Sequence, residues 1–229
     1  MMKKLAVGAT LLCAVGFTQA AVITDSDSVA VGPTINTDTL VVDMFNDMGG
    51  NFALDSVMLT LSGVIEGDAR VENSDAGPAT VTANISAAVT LDNMASMTVL
   101  SANPVVSDVF NLAAFDGTID FGGASGAESF GLTDTFSSSI TYTAPVDLAA
   151  FIGMGTLSYS FEAVGSSNSS GAGTLFSQLS TRAGADLLIT YNYTDNTPPP
   201  VTNVSAPSSL ALLGLSLLGV GGLRRKAKK

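Results

Sequence analysis

The sequence contains no histidine and no tryptophan, and its single cysteine is Cys13. The missing histidine excludes a Ser/His/Asp triad, a Cys/His pair and any zinc site that needs an imidazole ligand. The missing tryptophan removes the best residue for stacking against a sugar ring. A lone cysteine forms no disulfide within the chain, so the fold must be stabilised by its core alone.

Basic residues are scarce and concentrated at the two ends. Seven of the nine lysines and arginines lie among the first four or the last six residues. Between those ends, Arg70 and Arg182 stand against all twenty acidic residues, a net charge of 2 minus 20, or −18. Such a surface repels phosphate backbones, which predicts that nucleic acid is not a partner. With no lysine in this part, a Ser/Lys mechanism is excluded as well.

The first twenty residues have the pattern of a secretory signal peptide. Two lysines precede an apolar run, Leu5–Phe17, and small residues occupy the positions that a signal peptidase reads. We therefore predict a signal peptide over residues 1–20, with signal peptidase cutting between Ala20 and Ala21. Leu12 precedes Cys13, where a lipoprotein signal needs a small residue, so we expect no lipidation. Cleavage removes the only cysteine.

The body of the chain alternates apolar and polar residues with the two-residue period of a half-buried strand. The clearest run is Thr80–Leu91. The same period recurs in residues 57–61, 136–142, 157–163 and 187–193. It is weaker in Thr39–Phe45, Met97–Ser101 and Val105–Leu112. We expect strands to be interrupted at Gly63 and in residues 73–78, 122–126 and 165–173. These patterns predict eight to ten strands with one helical turn near residues 147–152, hence an all-β antiparallel β-sandwich over residues 21–194.

The acidic residues leave two uses open besides a solvated surface. A hydrolase would need paired carboxylates, and the close pairs are Glu66 with Asp68, Asp116 with Asp120, and Glu128 with Asp134. Calcium binding would need clustered oxygen ligands, although no EF-hand loop is present. The candidate calcium ligands are Asp25, Asp27, Asp43, Asp47, Asp116 and Asp120. We expect no catalytic residue and no cofactor, with calcium as the alternative.

Two further groups favour structural roles over binding. Residues 122–126 form a glycine-rich stretch that lacks the following lysine of a phosphate-binding loop, so we expect a turn. All four tyrosines fall on the apolar parity of their strands, which predicts core positions rather than a sugar platform. They are Tyr142, Tyr159, Tyr191 and Tyr193.

The C-terminal region combines a spacer, an apolar helix and a basic tail. Residues 195–203 include three consecutive prolines and predict an extended linker. The apolar run Leu210–Leu223 would form about 21 Å of helix, and extending it back to Val204 gives a length that approaches the bilayer core. The basic tail predicts that the end of this transmembrane helix stays in the cytoplasm.

Residues 204–229 resemble the PEP-CTERM sorting signal of Gram-negative bacteria, which an exosortase recognises and cleaves. The resemblance rests on a short polar motif, a Leu/Gly-rich helix and a basic end in fixed order. The residues that carry it are Val204, Ser205, Ala206, Pro207, Ser208, Arg224 and Arg225. Ser205-Ala206-Pro207 stands where the namesake motif has Pro-Glu-Pro. The resemblance implies a sorting protease as partner, the inner membrane before processing, and an exopolysaccharide setting.

The body resembles the choice-of-anchor E domain, an exported β-rich domain whose members carry alternative anchors and whose biochemical role is not defined. The resemblance rests on the order of residues 56–62, Glu72-Asn73, 80–91, 147–153 and 189–194. Together the two resemblances imply an exported, non-enzymatic protein of the cell envelope, outer surface or extracellular matrix. The alternatives are a glycan- or calcium-binding module and, third, a carboxylate-dependent hydrolase.

Overall fold

The computed structural model describes residues 19–197, and this part of the chain is built almost entirely of strands. Strands and helical turns follow in the order β1 (Gln19–Pro33), β2 (Asn36–Asp43), β3 (Phe52–Asn73), β4 (Ala79–Asp92), β5 (Thr98–Ala102), β6 (Val105–Leu112), β7 (Gly126–Tyr142), α1 (Pro145–Leu148), a 3-10 turn (Ala149–Phe151), β8 (Thr156–Gly165), β9 (Asn168–Gly171) and β10 (Leu175–Asp195). Between residues 19 and 197 no helix is long and apolar enough to cross a membrane. The predicted transmembrane segment, residues 204–229, lies outside the described residues, as do residues 1–18.

Two antiparallel sheets form the predicted sandwich. The four-stranded sheet has the order β1-β10-β3-β7. The six-stranded sheet has the order β2-β8-β4-β5, and β6 and β9 also pair with β4. β3 and β10, which are 22 and 21 residues long, run side by side through the four-stranded sheet. All named strand pairs are antiparallel, so the predicted fold class is confirmed.

The core lies between the sheets and follows the alternation seen in the sequence. β4 buries every second side chain, and Ile85 at its centre is fully buried while Thr82 is half-buried. The inward-facing side chains of β3, β8 and β10 complete the core. Tyr191 and Tyr159 are buried, and Tyr142 and Tyr193 pack partly buried against the core, as their strand parity predicts.

The prediction that Gly63 interrupts a strand is wrong. Gly63 lies inside β3, opposite Phe136 of β7 and Ala185 of β10. A Cβ atom at this position would clash with the carbonyl oxygen of Gly184 and would lie 2.6 Å from the Phe136 ring. The glycine is therefore required by the close approach of its neighbours and not by a turn. Residues 165–173 also differ from the prediction, because they contain the short strand β9.

One end of the sandwich, here called the aromatic end, gathers aromatic residues from both sheets. The ring of Phe45 lies 5.6 Å from that of Tyr191 and 5.3 Å from that of Tyr193, centroid to centroid. Tyr142, the last residue of β7, lies 5.1 Å from Phe151. The turn from β4 to β5, the start of β8 and α1 belong to the same end, as the strand registers show.

Candidate functional site

Carboxylates close one side of the sandwich, where the edge strands β1 and β2 meet. The side chains of Asp25 and Asp27 project from β1 towards β2. Oδ2 of Asp25 accepts a hydrogen bond from the backbone N–H of Asp43 at 2.6 Å, and Oδ2 of Asp27 accepts one from Val41 at 2.8 Å. These N–H groups would otherwise be free at the edge of β2. The carboxylates of two candidate calcium ligands, Asp25 and Asp27, and the backbone N–H of a third, Asp43, are therefore used in a seam between the two sheets.

Carboxylates also accept backbone hydrogen bonds on the opposite side of the sandwich, where Asp134 reaches from one sheet to the other and Asp68 spans a β-bulge between β3 and β7. Oδ2 of Asp134 in β7 accepts a hydrogen bond from Val105 of β6 at 3.0 Å. Oδ1 of Asp68 accepts one from the N–H of Gly131 at 3.0 Å, and the Ser180 hydroxyl donates to Oδ2 of Asp68 at 3.0 Å. The Gly131 bond above all holds the pKa of Asp68 below its usual value.

The remaining calcium candidates lie in local turns. Oδ1 of Asp47 accepts a hydrogen bond from Gly49, and Oδ1 of Asp120 accepts one from Gly122. Oδ1 of Asp116 accepts two hydrogen bonds from Thr118, which lower the pKa of that carboxyl. Within residues 19–197 no three acidic, histidine or cysteine residues are grouped so that they could hold a metal ion. Calcium binding stays the alternative that the sequence left open.

The carboxylate pairs considered for catalysis contact the two arginines or the backbone. Nε of Arg182 lies 3.7 Å from Oε2 of Glu66, and Nη1 lies 3.6 Å from Oδ2 of Asp68. Nε of Arg70 lies 3.1 Å from Oε1 of Glu128. These side chains are about 28–42% exposed, so the ion pairs lie in solvent rather than in a desolvated cleft.

Sequence reasoning did not single out Glu72, the one fully buried charged residue in the described part of the chain. It stands on the outward parity of β3, but the loop before β7 covers it. Oε2 of Glu72 accepts a hydrogen bond from the N–H of Phe121 at 2.8 Å, while Oε1 has no hydrogen-bond partner within residues 19–197. In the sequence, Glu72 was named only as part of Glu72-Asn73, one of the segments on which the choice-of-anchor E resemblance rests.

The outer face of the four-stranded sheet carries a regular array of hydroxyl groups. Three rows of side chains cross β1, β10, β3 and β7, and nine of their twelve positions are serine or threonine. The rows are Thr24, Thr190, Met58 and Thr141; Ser26, Leu188, Thr60 and Ser139; and Ser28, Asp186, Ser62 and Ser137. All are exposed or half-buried. We call these twelve residues the hydroxyl face.

A cavity of about 610 Å³ opens at the aromatic end. Its walls are the turn after β4, the first residues of β8, and the segment of α1 and the 3-10 turn. Val99, Phe151 and Leu157 supply apolar surface, and Tyr142 and Tyr159 also line it. Burial raises the pKa of Tyr159 to about 12, so its hydroxyl stays protonated at neutral pH.

Residues 203–226 match the PEP-CTERM protein-sorting motif. They lie outside the described residues, and they coincide with the segment in which the sequence predicted a sorting signal. The chain therefore carries a PEP-CTERM sorting signal, which marks an exported bacterial protein that an exosortase processes at the membrane and that reaches the surface of the cell envelope. The choice-of-anchor E resemblance of the body stays a prediction.

No curated protein matches the chain. Among solved structures, the T13 particle and the Gx strain of infectious bursal disease virus are similar to it at 12% and 14% identity, each with a TM-score of 0.18. The alignments cover 95% of this chain and 52% and 54% of the viral chains. The chain thus spans about half the length of those proteins, and at these TM-scores the likeness carries no argument.

Proposed function

Because the chain carries a PEP-CTERM sorting signal, we propose that a Gram-negative bacterium exports it across the inner membrane and that an exosortase removes its C-terminal segment. The released sandwich is a non-catalytic structural component of the outer surface or the extracellular matrix. Two observations support a role without catalysis. The sequence lacks histidine, and the carboxylates considered for hydrolysis form solvent-exposed ion pairs or accept hydrogen bonds from the backbone.

The hydroxyl face is the observation that favours exopolysaccharide as the neighbour of this protein. Each serine and threonine hydroxyl both donates and accepts hydrogen bonds, which suits a polymer whose own surface is hydroxyl groups. Neighbouring strands repeat these groups about every 4.8 Å, so the face offers many weak contacts rather than one pocket. Asp186 is its single charged position, which allows a neutral chain to approach.

Processing is tested by intact-mass measurement of the protein in envelope and medium fractions. We expect the mature protein to begin at Ala21 and to lack the apolar run from Leu210 onward. A host strain without its exosortase should retain the full C-terminal segment. Finding Arg224–Lys229 on the surface form in the normal strain would contradict cleavage by an exosortase and would indicate a plain membrane anchor.

Polysaccharide contact is tested by co-sedimentation with exopolysaccharide purified from the host. Thr60→Arg places a long side chain in the middle of the hydroxyl face, and Thr90→Arg places one at a comparable half-buried position on the six-stranded sheet. We expect Thr60→Arg to reduce the bound fraction several-fold and Thr90→Arg to leave it unchanged. Equal binding by the two variants contradicts a role for the hydroxyl face.

A further inference from the structure

The cavity at the aromatic end has an unpaired strand edge as one wall. β4 pairs with β8 up to Asp92 and Ser160, and the chain then turns away through residues 93–97. β8 begins four residues earlier, at Thr156, and its residues 156–159 line the cavity. No described strand therefore lies beside this part of β8 on the side of β4.

The backbone groups of Ser158 point towards that open side. Ser158 stands opposite Val41 of β2, and the N–H of Val41 donates to Asp27 rather than to β8. Residues opposite each other in an antiparallel pair either exchange two hydrogen bonds or none, so this is a pair without hydrogen bonds. The N–H and C=O of Ser158 consequently face away from β2. The same reasoning applies to Thr156, because the N–H of Asp43 opposite it donates to Asp25.

The rims of the cavity are apolar and exposed. Met94 in the turn after β4 is 81% exposed, and Val146 in α1 on the other rim is also 81% exposed. Hydrogen bonds from Ala95 and Met97 to Oδ1 of Asn93 hold the turn in shape. Exposed apolar side chains on both sides of an apolar cavity are typical of a surface that binds another molecule. A flexible methionine on the rim can adapt to the bound side chain.

Charge limits the kind of partner that fits. Among the residues that line the cavity, Asp147 is the only charged one. The part of the chain between the signal peptide and the C-terminal anchor carries a formal charge of −18, from two arginines and twenty acids. An anionic ligand would be repelled, as would a second copy of this chain. A basic partner would be attracted, and a neutral one would not be repelled.

We propose that this cavity binds an extended, neutral or basic peptide segment of another protein by β-strand addition. The peptide pairs with the open edge of β8 at Thr156–Ser158, as peptides do when they extend a sheet. One apolar side chain of the peptide enters the cavity between Val99, Phe151 and Leu157, and Met94 and Val146 cover it from the two sides. The hydrogen bonds supply affinity independent of sequence, and the cavity selects the side chain.

A displayed library of random heptapeptides, selected on the folded domain, provides the probe. We expect the enriched peptides to alternate apolar with polar residues and to carry neutral or positive net charge. A synthetic copy of the most enriched peptide should bind saturably in a fluorescence anisotropy titration. The same peptide with its alternate backbone N–H groups methylated should bind at least tenfold more weakly, because methylation removes the ladder hydrogen bonds.

Two variants test the site, and a third serves as the control. Ser158→Pro removes one N–H that faces the open side of β8, which an edge position tolerates. Val146→Asp places a charge on the apolar rim. Val109→Asp makes the same change at a 55% exposed valine of β6 away from the cavity. Circular dichroism and thermal unfolding establish that each variant is folded before its affinity is compared.

We expect Ser158→Pro and Val146→Asp to weaken peptide binding at least tenfold and Val109→Asp to leave it within twofold. Failure of the library to yield an enriched peptide would overturn the proposal. So would full binding by the methylated peptide or by Ser158→Pro, since the site would then accept an apolar group without strand pairing. A predominance of acidic peptides would contradict the charge argument.

Discussion

Replacing both Asp25 and Asp27 by alanine should destabilise the sandwich by loosening the seam between its two sheets. Each carboxylate reaches from β1 to an N–H group at the edge of β2, at 2.6 Å to Asp43 and 2.8 Å to Val41. A hydrogen bond contributes about 0.5–1.5 kcal/mol net, and more when one partner is charged. Because water can reach these positions, we take the lower range and expect a loss of about 1–3 kcal/mol for the pair.

Thermal unfolding measures this loss directly. For a domain of this size, 1 kcal/mol lowers the melting temperature by roughly 2–4 °C, so a loss of about 1–3 kcal/mol should lower the melting temperature of the double variant by about 2–12 °C. The double variant Asp25→Asn with Asp27→Asn retains an acceptor oxygen at both positions and loses the charge. It should fall between the wild type and the alanine variant, because neutral hydrogen bonds are weaker than charge-assisted ones.

Removing two acids also reduces the self-repulsion of a very acidic domain, which acts in the opposite direction. The matched control is therefore Asp38→Ala with Asp108→Ala, because within residues 19–197 each of these carboxylates accepts a hydrogen bond only from the N–H of the next residue. This control should melt close to the wild type. If the seam variant and the control melt at the same temperature, the carboxylates do not join the sheets energetically and the reasoning is wrong.

Two further predictions concern the core and the response to acid. Ile85→Asp should prevent folding, because it buries an unpaired charge at a cost comparable to the total stability of about 5–15 kcal/mol. Thr82→Asp, on the opposite face of β4, should change the melting temperature little. Equal effects of the two substitutions would mean that the register of β4 is wrong. The lowered pKa of Asp68 contributes stability above its unfolded value near 3.8 that disappears as the pH falls through the folded value. Asp68→Asn should therefore flatten the acid limb of a plot of melting temperature against pH, and an unchanged acid limb would contradict it.

Strand parity could be predicted from the sequence because each central strand has one buried face. β4 alternates almost without a break, and the predicted range Thr80–Leu91 differs from the observed Ala79–Asp92 by one residue at each end. The range predicted for β6, Val105–Leu112, is the observed one. Burial on one face forces an alternation that a reader of the sequence can count.

Strands that lack this alternation could not be predicted from the sequence. β1 places Asp25 and Asp27 on the side that faces the other sheet, so its apolar alternation is broken at the positions where it matters most. β9 is four residues long and consists of asparagine, serine and glycine. Gly63 was read as an interruption, because a sequence does not distinguish a glycine required by close packing from one required by a turn.

The hydrogen-bond partners of the acidic residues could not be predicted from the sequence. Close spacing along the chain made Asp25 and Asp27 candidate ligands in the alternative calcium hypothesis, and the structure shows that their hydrogen-bond partners lie 18 and 14 residues away, at Asp43 and Val41. These distances depend on the register between two edge strands of different sheets, which no local pattern encodes. Asp134 and Val105, which are 29 residues apart, repeat the arrangement on the other side of the sandwich. Acidic residues that composition alone would place in solvent or around a metal ion therefore also bind the open strand edges of this domain, which has no disulfide to stabilise it.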